Sequence, residues 1–228
     1  MHDKVLKFNS IENSNDPNEY KDINPSFVYD PINYPISSSE DMYNTGLQLN
    51  QIIKKTKMIC FSTSEYDRTS RTVNEGWNLP RMWHSYGDLH RGICIEIKNN
   101  ESFLNENSDI FKSPIVFRDV VNYKKDLTYP ILKKGKFESK EEANNFIIEN
   151  RHQYFFQKHI DWSGEREYRI ITLDNSVEFV NFKISVDKII LGERCPNIYI
   201  PLLKNHFRGK LYKITLDENK RIYKLKYF

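Results

Sequence analysis

The chain has 228 residues, enough for one large domain with a sizeable buried core. Its composition is that of a globular protein, and no apolar run approaches the roughly 20 residues that span a bilayer, which argues against a disordered chain and a membrane protein. The net charge of +3 comes from 34 basic and 31 acidic residues interspersed along the chain, so charge alone does not predict a nucleic-acid partner. The first residues lack the apolar region of a secretory signal, and we expect a cytoplasmic protein without a membrane partner.

Hydrophobic periodicity, capping residues and turn residues predict strands and helices in mixed order. In chain order we predict a strand at 5–8, a helix at 40–54, a strand at 58–61, a helix at 81–87, strands at 92–97 and 115–123, a helix from 139 to about 159, strands at 168–171, 177–182 and 188–191, a helix at 198–207, and strands at 211–216 and 222–228. Strands dispersed among helices without strict alternation predict an α+β fold. We expect a single domain over 1–228, built around a mixed, largely antiparallel sheet.

An irregular arm rich in proline, asparagine and serine is predicted over residues 13–39. Its end matches a Ser-x-x-Glu capping box, with Ser37 as the cap and Glu40 three residues later. This pattern predicts that the first long helix begins at about residue 40.

The first candidate site is the stretch from Met82 to Gly92, which is unusually rich in aromatic rings and histidines. Trp83 and Tyr86 are three residues apart and therefore share a helical face, where they could stack on a ring-containing ligand. His90 precedes a predicted strand and is a candidate ligand-binding residue. For Trp83 the alternative is ordinary core packing, because tryptophan is usually mostly buried.

The second candidate site is the acidic start of the strand that contains Arg169. Because side chains alternate along a strand, Glu165, Glu167 and Arg169 are predicted to project to one face. Two carboxylates and a guanidinium can stabilise a developing positive charge, as in glycosyl transfer, or can orient a hydroxyl nucleophile. The alternative is an exposed strand face with weak ion pairs.

The third candidate site is a hydroxyl rim, the triplet Ser62-Thr63-Ser64 directly after the predicted strand at 58–61. These hydroxyls could brace the carboxylates or bind a ligand. The three cysteines lack Cys-x-x-Cys spacing and are predicted to be buried thiols, and no metal site is predicted.

Several short patterns follow one another along the chain: Asn15-Asp16-Pro17, Cys60-Phe61-Ser62, Met82-Trp83-x-x-Tyr86, His90-x-Gly92-Ile93-Cys94-Ile95, Trp162-x-x-Glu165-x-Glu167-Tyr168-Arg169 and Ile189-Ile190-Leu191-Gly192. In this order they resemble one bacterial family, the domain of unknown function 2971. Its members are often met near mobile-element and phage-defence genes, and the likeness extends from about residue 5 to 192. Members usually begin with a further strand of the Tyr-Lys-Tyr-Arg kind, and this chain is expected to start after it.

More distantly, the Ser-Thr-Ser at the end of a strand followed by Glu-x-Glu is similar to mono-ADP-ribosyltransferases, although the first apparent strand has no arginine. The resemblance implies an ADP-ribosyltransferase-like fold and NAD as a substrate. It also implies that Glu167 stabilises the transition state and Glu165 helps the acceptor. The catalytic candidates are Glu165 and Glu167, and the candidates for binding NAD are Ser62, Ser64, Trp83, Tyr86, His90 and Arg169.

The predicted function is transfer of ADP-ribose from NAD to a protein or nucleic-acid acceptor, by a toxin or phage-defence effector. One alternative is a non-catalytic binding or sensor module anchored by Trp77, Trp83 and Trp162. A second is a metal-dependent nuclease using Asp88, Glu96, Glu165 and Glu167. The sequence predicts neither the acceptor nor the oligomeric state.

Overall fold

The computed structural model describes residues 5–28, 38–69, 71–97, 100–133, 136–182, 184–217 and 222–228. Helices and mostly antiparallel strands alternate irregularly along this part of the chain, which confirms the predicted α+β class. The strands form two separate four-stranded sheets and three two-stranded ones, where the sequence predicted one sheet. Across the described ranges, no helix is both long enough and apolar enough to cross a membrane.

Fourteen strands are present among the described residues. They are β1 (Val5–Lys7), β2 (Asn9–Ser10), β3 (Lys57–Ser62), β4 (Glu65–Asp67), β5 (Thr72–Asn74), β6 (Ile93–Ile97), β7 (Val116–Val120), β8 (Asn122–Lys124), β9 (Gln157–His159), β10 (Glu167–Thr172), β11 (Phe179–Asn181), β12 (Val186–Leu191), β13 (Leu211–Asp217) and β14 (Ile222–Tyr227). The hairpin of β4 and β5 has no counterpart in the sequence prediction.

The same part of the chain contains seven α-helices: α1 (Ser39–Lys55), α2 (Pro80–Ser85), α3 (Asn100–Glu106), α4 (Ser108–Phe111), α5 (Lys140–Glu149), α6 (Arg151–Phe155) and α7 (Ile200–His206). The first helix begins one residue earlier than predicted, because its capping box uses Ser38 and Asp41. Ser37, the predicted cap, lies outside the described residues. The long helix predicted from 139 to about 159 is divided at Asn150 into α5 and α6, and the strand β9 follows α6.

The first sheet has the order β2-β3-β10-β7 and is antiparallel throughout. Its central pair, β3 and β10, places Glu167 directly opposite Ser62 and Arg169 directly opposite Cys60. Residues directly opposite each other in an antiparallel pair project to the same face. The register therefore brings two predicted sites, the hydroxyl rim and the acidic strand start, to one place.

The second sheet has the order β14-β13-β12-β6, and the pairing of β12 with β13 is parallel. The largest apolar core lies between the two sheets and includes Ile59, Ile170 and Ile189. A second core packs α1, α5 and α6 against the other face of the first sheet, through Ile53, Ile147 and others. Since both faces of β10 are covered, side chains at its start are enclosed by protein on either side.

Candidate functional site

A cavity of about 750 Å³ separates the facing edges of the two sheets. The short strand β2 pairs with β3 only at Lys57 and Met58, and within the described residues no strand pairs with that edge further along. The rest of β3 therefore faces the cavity opposite β6, while the N-terminal segment and the region around α2 complete the wall. A volume of this size is typical of pockets that hold small-molecule ligands.

Both predicted catalytic carboxylates line this cavity and are almost fully buried, with Glu165 only 1% exposed and Glu167 5% exposed. Glu167 begins β10, but Glu165 ends a 3-10 helix (Ile160–Glu165) and is not on the strand as predicted. Arg166 joins them in the left-handed conformation, with φ of 48°. This reversal of the backbone, and not strand alternation, brings the two carboxylates to the same cation.

That cation is Lys158, which the sequence analysis missed. Its Nζ lies 2.7 Å from Glu165 Oε2 and 2.7 Å from Glu167 Oε1, and the side chain is buried. Lys158 belongs to β9, which pairs in parallel with β8 in the stretch predicted to be helical. A lone lysine beside a histidine carries no recognisable motif, so only the fold shows that it bridges the acidic pair.

Arg169 anchors the other side of Glu167. Its Nε donates to Glu167 Oε2 at 2.6 Å, its Nη1 donates to the carbonyl oxygen of Phe155 at 2.9 Å, and its Nη2 forms an ion pair with Glu19. The side chain is 1% exposed. Although Arg169 lines the cavity, its guanidinium is engaged by two carboxylates, so its observed role is to hold Glu167 in place.

The segment that carries Glu19 lies within the predicted irregular arm and contains one short helical turn. The buried side chain of Asp16 accepts from the N–H of Asn18 and caps a 3-10 helix, Pro17–Glu19. Asn15-Asp16-Pro17, which looks like a simple turn in sequence, thus places a third carboxylate at the site. The remainder of the predicted arm, residues 29–37, lies outside the described residues.

The surroundings drive the pKa values of the two carboxyls in opposite directions. Burial alone raises the pKa of Glu167, but the charge and hydrogen bond of Arg169, together with Lys158, outweigh burial and hold this pKa well below its usual range. Burial also raises the pKa of Glu165, and there the hydrogen bonds from Lys158 and Tyr86 do not overcome it. When the pKa values of two neighbouring carboxyls are shifted in opposite directions, one can stay ionised while the other exchanges a proton.

We expect Glu165 to change how the free energy of unfolding depends on pH. Its folded pKa lies above the unfolded value of about 4.3, so between the two values the native state binds more protons than the unfolded state. The free energy of unfolding should therefore decrease as pH rises through this window. Glu167, with a lowered pKa, acts oppositely: its contribution is present above about pH 4.3 and is lost as pH falls through its folded pKa.

Urea denaturation at a series of pH values, with wild type and Glu165→Gln compared, measures this contribution. As pH rises through the window, the free energy of unfolding of wild type should decrease relative to that of Glu165→Gln. A difference that stays constant between pH values on either side of the window would contradict a raised pKa at Glu165.

Tyr86 and Trp83 both line the cavity but differ in exposure. The Tyr86 hydroxyl donates to Glu165 Oε1 at 2.9 Å, and burial, reinforced by Glu165, raises the pKa of Tyr86 to about 12. Its side chain is otherwise half exposed, so it stands at the cavity mouth. Trp83 is 3% exposed, and its indole N–H donates to the carbonyl oxygen of Trp77 at 2.6 Å. Trp83 is thus mainly a core residue that backs the cavity wall.

The predicted hydroxyl rim also lines the cavity. Ser62 lies opposite Glu167, whereas the Ser64 hydroxyl donates to Glu75 and accepts from the N–H of Gly76, both at 3.0 Å. Ser64 therefore shapes the turn after β3. Cys60 was predicted to be a buried thiol, but its side chain is exposed to the cavity. Inside the cavity the surrounding protein replaces much of the bulk water, and this desolvation together with the nearby carboxylates raises the pKa of the thiol.

His90 is not among the residues that line the cavity. Its ring stacks on Trp83 with centroids 6.2 Å apart and lies 5.8 Å from the ring of Tyr223. Asp88, Leu89 and His90 all have positive φ, which turns the chain so tightly that a Cβ on Gly192 would lie 2.1 Å from the His90 carbonyl oxygen. This turn directs His90 to the outer face of the second sheet.

The structure also shows where residues of the two alternative functions, the binding module and the nuclease, lie. Trp162 stacks between cations of the same chain, with Lys158 Nζ 4.6 Å and the Arg81 guanidinium carbon 5.2 Å from its ring centroid. Of the four proposed nuclease residues, Asp88 pairs with Arg91 on the surface, away from the cavity. Over the described ranges, no group of three or more histidine, cysteine, aspartate or glutamate side chains is arranged to hold a metal ion.

Comparison with known families identifies one match. The model of a family described as a protein of unknown function, DUF2971, matches residues 82–170. The predicted DUF2971-like character is therefore confirmed over this segment, which includes Tyr86, Lys158, Glu165, Glu167 and Arg169 but neither Ser62 nor Glu19. No curated protein and no solved structure matches the chain.

Proposed function

We propose that the chain transfers the ADP-ribosyl group of NAD to a protein or nucleic-acid acceptor. The observation that carries the proposal is the pair of buried carboxylates at one cavity, Glu167 ionised between Arg169 and Lys158 and Glu165 with a raised pKa. The cavity volume of about 750 Å³ fits a ligand of this size. Its wall combines apolar strand residues with the rings of Tyr86 and Trp77.

The two carboxylates have distinct tasks in this reaction. When the bond between ribose C1′ and the nicotinamide nitrogen breaks, its electron pair leaves with nicotinamide, and positive charge develops on the ribose. Glu167 stabilises that charge, because a fixed anion in a site shielded from water is most effective there. The acceptor nucleophile then forms a bond to C1′, and Glu165 takes its proton, a task suited to a carboxyl with a raised pKa.

The same cavity offers one candidate for the diphosphate. Three lysine or arginine side chains among the described residues line it, and two of them, Lys158 and Arg169, are paired with carboxylates. Lys7, at the end of β1, is exposed and forms no ion pair with any described residue. A diphosphate lying against the N-terminal wall would meet this ammonium.

The direct test is incubation of the purified chain with NAD labelled in its adenine ring, together with a cell lysate. We expect release of nicotinamide and labelled protein or nucleic acid, and Lys7→Glu should weaken NAD binding about tenfold, while the exposed Lys21→Glu should leave it unchanged. Folded protein that neither releases nicotinamide nor labels an acceptor would overturn the proposal. Binding of NAD without cleavage would favour a sensor module instead. If the labelled acceptor is a molecule of the cell that contains the protein, the chain acts as a toxin or a defence effector.

A further inference from the structure

The buried charges around the cavity are not balanced. Among the described residues, two cations, Lys158 and Arg169, pair with three carboxylates whose side chains are each at most 7% exposed: Glu19, Glu165 and Glu167. Glu165 and Glu167 lie on adjacent elements of the matched segment, whereas Glu19 comes from the N-terminal segment. Leaving an isolated charge buried is strongly unfavourable, so each member of the cluster depends on the others.

Glu19 has a defined position in this cluster. It pairs with Arg169, and Arg169 in turn donates to Glu167 Oε2 at 2.6 Å. The Ser14 hydroxyl donates to the second carboxylate oxygen of Glu19, and the Glu19 N–H donates to the carbonyl oxygen of Asp16. A buried guanidinium held from both sides by carboxylates has little freedom to rotate, because its donors form a rigid planar fork.

We infer that Glu19 is a positioning residue of this site, which acts through Arg169 to fix the orientation of the Glu167 carboxylate towards the cavity and attaches the N-terminal segment as a cavity wall. The kinetic part of this inference rests on the proposed function. The structural part does not, because the contacts from Glu19 to Arg169 and from Arg169 to Glu167 exist whatever the ligand is.

Cys60 provides a measurement that needs no enzymatic activity. Its thiol lies opposite Arg169 and is exposed to the cavity. Among its charged neighbours, Arg169 lowers the thiol pKa whereas Glu167 and Glu19 raise it. Because only the thiolate reacts with iodoacetamide, the alkylation rate of Cys60, resolved from Cys94 and Cys195 by peptide mapping, reports the charge balance around Arg169.

In Glu19→Gln we expect Cys60 to be alkylated several times faster at pH 8.0, because loss of the Glu19 charge lowers the pKa of the thiol and enlarges its thiolate fraction. Turnover of NAD should fall about 10- to 100-fold, with little change in the KM for NAD, since the variant misplaces Glu167 without touching the ligand. Glu12→Gln removes the same charge from an exposed position of the N-terminal segment and should leave both measurements unchanged.

Glu19→Asp keeps the charge on a shorter side chain, and we expect a Cys60 rate near that of wild type with turnover still reduced. This variant decides the question if Glu19→Gln does not fold. Unchanged alkylation and turnover in Glu19→Gln, or full turnover in Glu19→Asp, would overturn the inference. If wild type does not cleave NAD, the proposed function fails, and the Cys60 rates still show whether the charge of Glu19 lies in the cluster beside Cys60.

Discussion

Replacing Glu167 by glutamine should lower the proposed ADP-ribosyl transfer by about 100- to 1,000-fold, the usual effect of removing a group that stabilises transition-state charge. Glutamine has nearly the same shape but no charge, and its amide would leave Lys158 and Arg169 with less compensation. Both cations would then oppose the positive charge that develops on the ribose. Affinity for NAD should change much less than turnover, because the interaction is strongest in the transition state.

The measurement is nicotinamide release and acceptor labelling by Glu167→Gln, with the thermal unfolding temperature recorded to show that the variant is folded. Two other variants serve as controls. Glu141→Gln, on the exposed first turn of α5, should behave like wild type. Glu165→Gln should reduce labelling of the acceptor more than release of nicotinamide, since the role proposed for Glu165 is to take the proton of the acceptor. Equal activity of wild type and a folded Glu167→Gln would remove the assignment of Glu167.

The largest effect on stability is expected for Lys158→Met, which should reduce the free energy of unfolding by about 3–5 kcal/mol at neutral pH. The variant keeps the length of the side chain but removes the ammonium 2.7 Å from both Glu165 and Glu167. Two buried carboxyls then face each other without their shared cation. We expect one of them to take up a proton, so the destabilisation should become smaller as pH is lowered.

Urea denaturation of wild type and Lys158→Met at several pH values measures this effect. The double variant Lys158→Met with Glu165→Gln should recover part of the loss, because one of the two carboxylates that lost the ammonium is then neutral. Lys140→Met, at the exposed start of α5, should change the free energy of unfolding by less than about 0.5 kcal/mol. If Lys158→Met reduced the free energy of unfolding no more than Lys140→Met does, the ammonium of Lys158 would not be paired as described.

The sequence predicted the elements whose formation depends on neighbouring residues. The helix after Ser38 and the strands containing Ile59, Ile170 and Ile189 follow from capping and from apolar periodicity. Periodicity failed after Phe155, where the apolar pattern resembles a continued helix. There the pairing of β9 with β8 makes the chain extended, and β-pairing of this kind depends on a strand distant in sequence.

The sequence likewise predicted one part of the candidate site and missed another. Glu165, Glu167 and Arg169 lie within five positions of one another, so their spacing alone grouped them correctly, even though the reason was a left-handed Arg166 and not strand alternation. Lys158 and Glu19 were missed. His90, grouped with the site because it is near Tyr86 in sequence, was turned away by three successive residues with positive φ.

By itself, then, the sequence determined the α+β class, the acidic pair and the hydroxyl rim, because local propensity and side-chain spacing act over a few residues. Tertiary structure alone decided that a lysine from β9 lies between the two carboxylates and that Glu19 reaches Arg169 from the N-terminal segment. The physical reason is that a buried charge must find an opposite charge nearby in space, and the partner's position along the chain is irrelevant to that requirement.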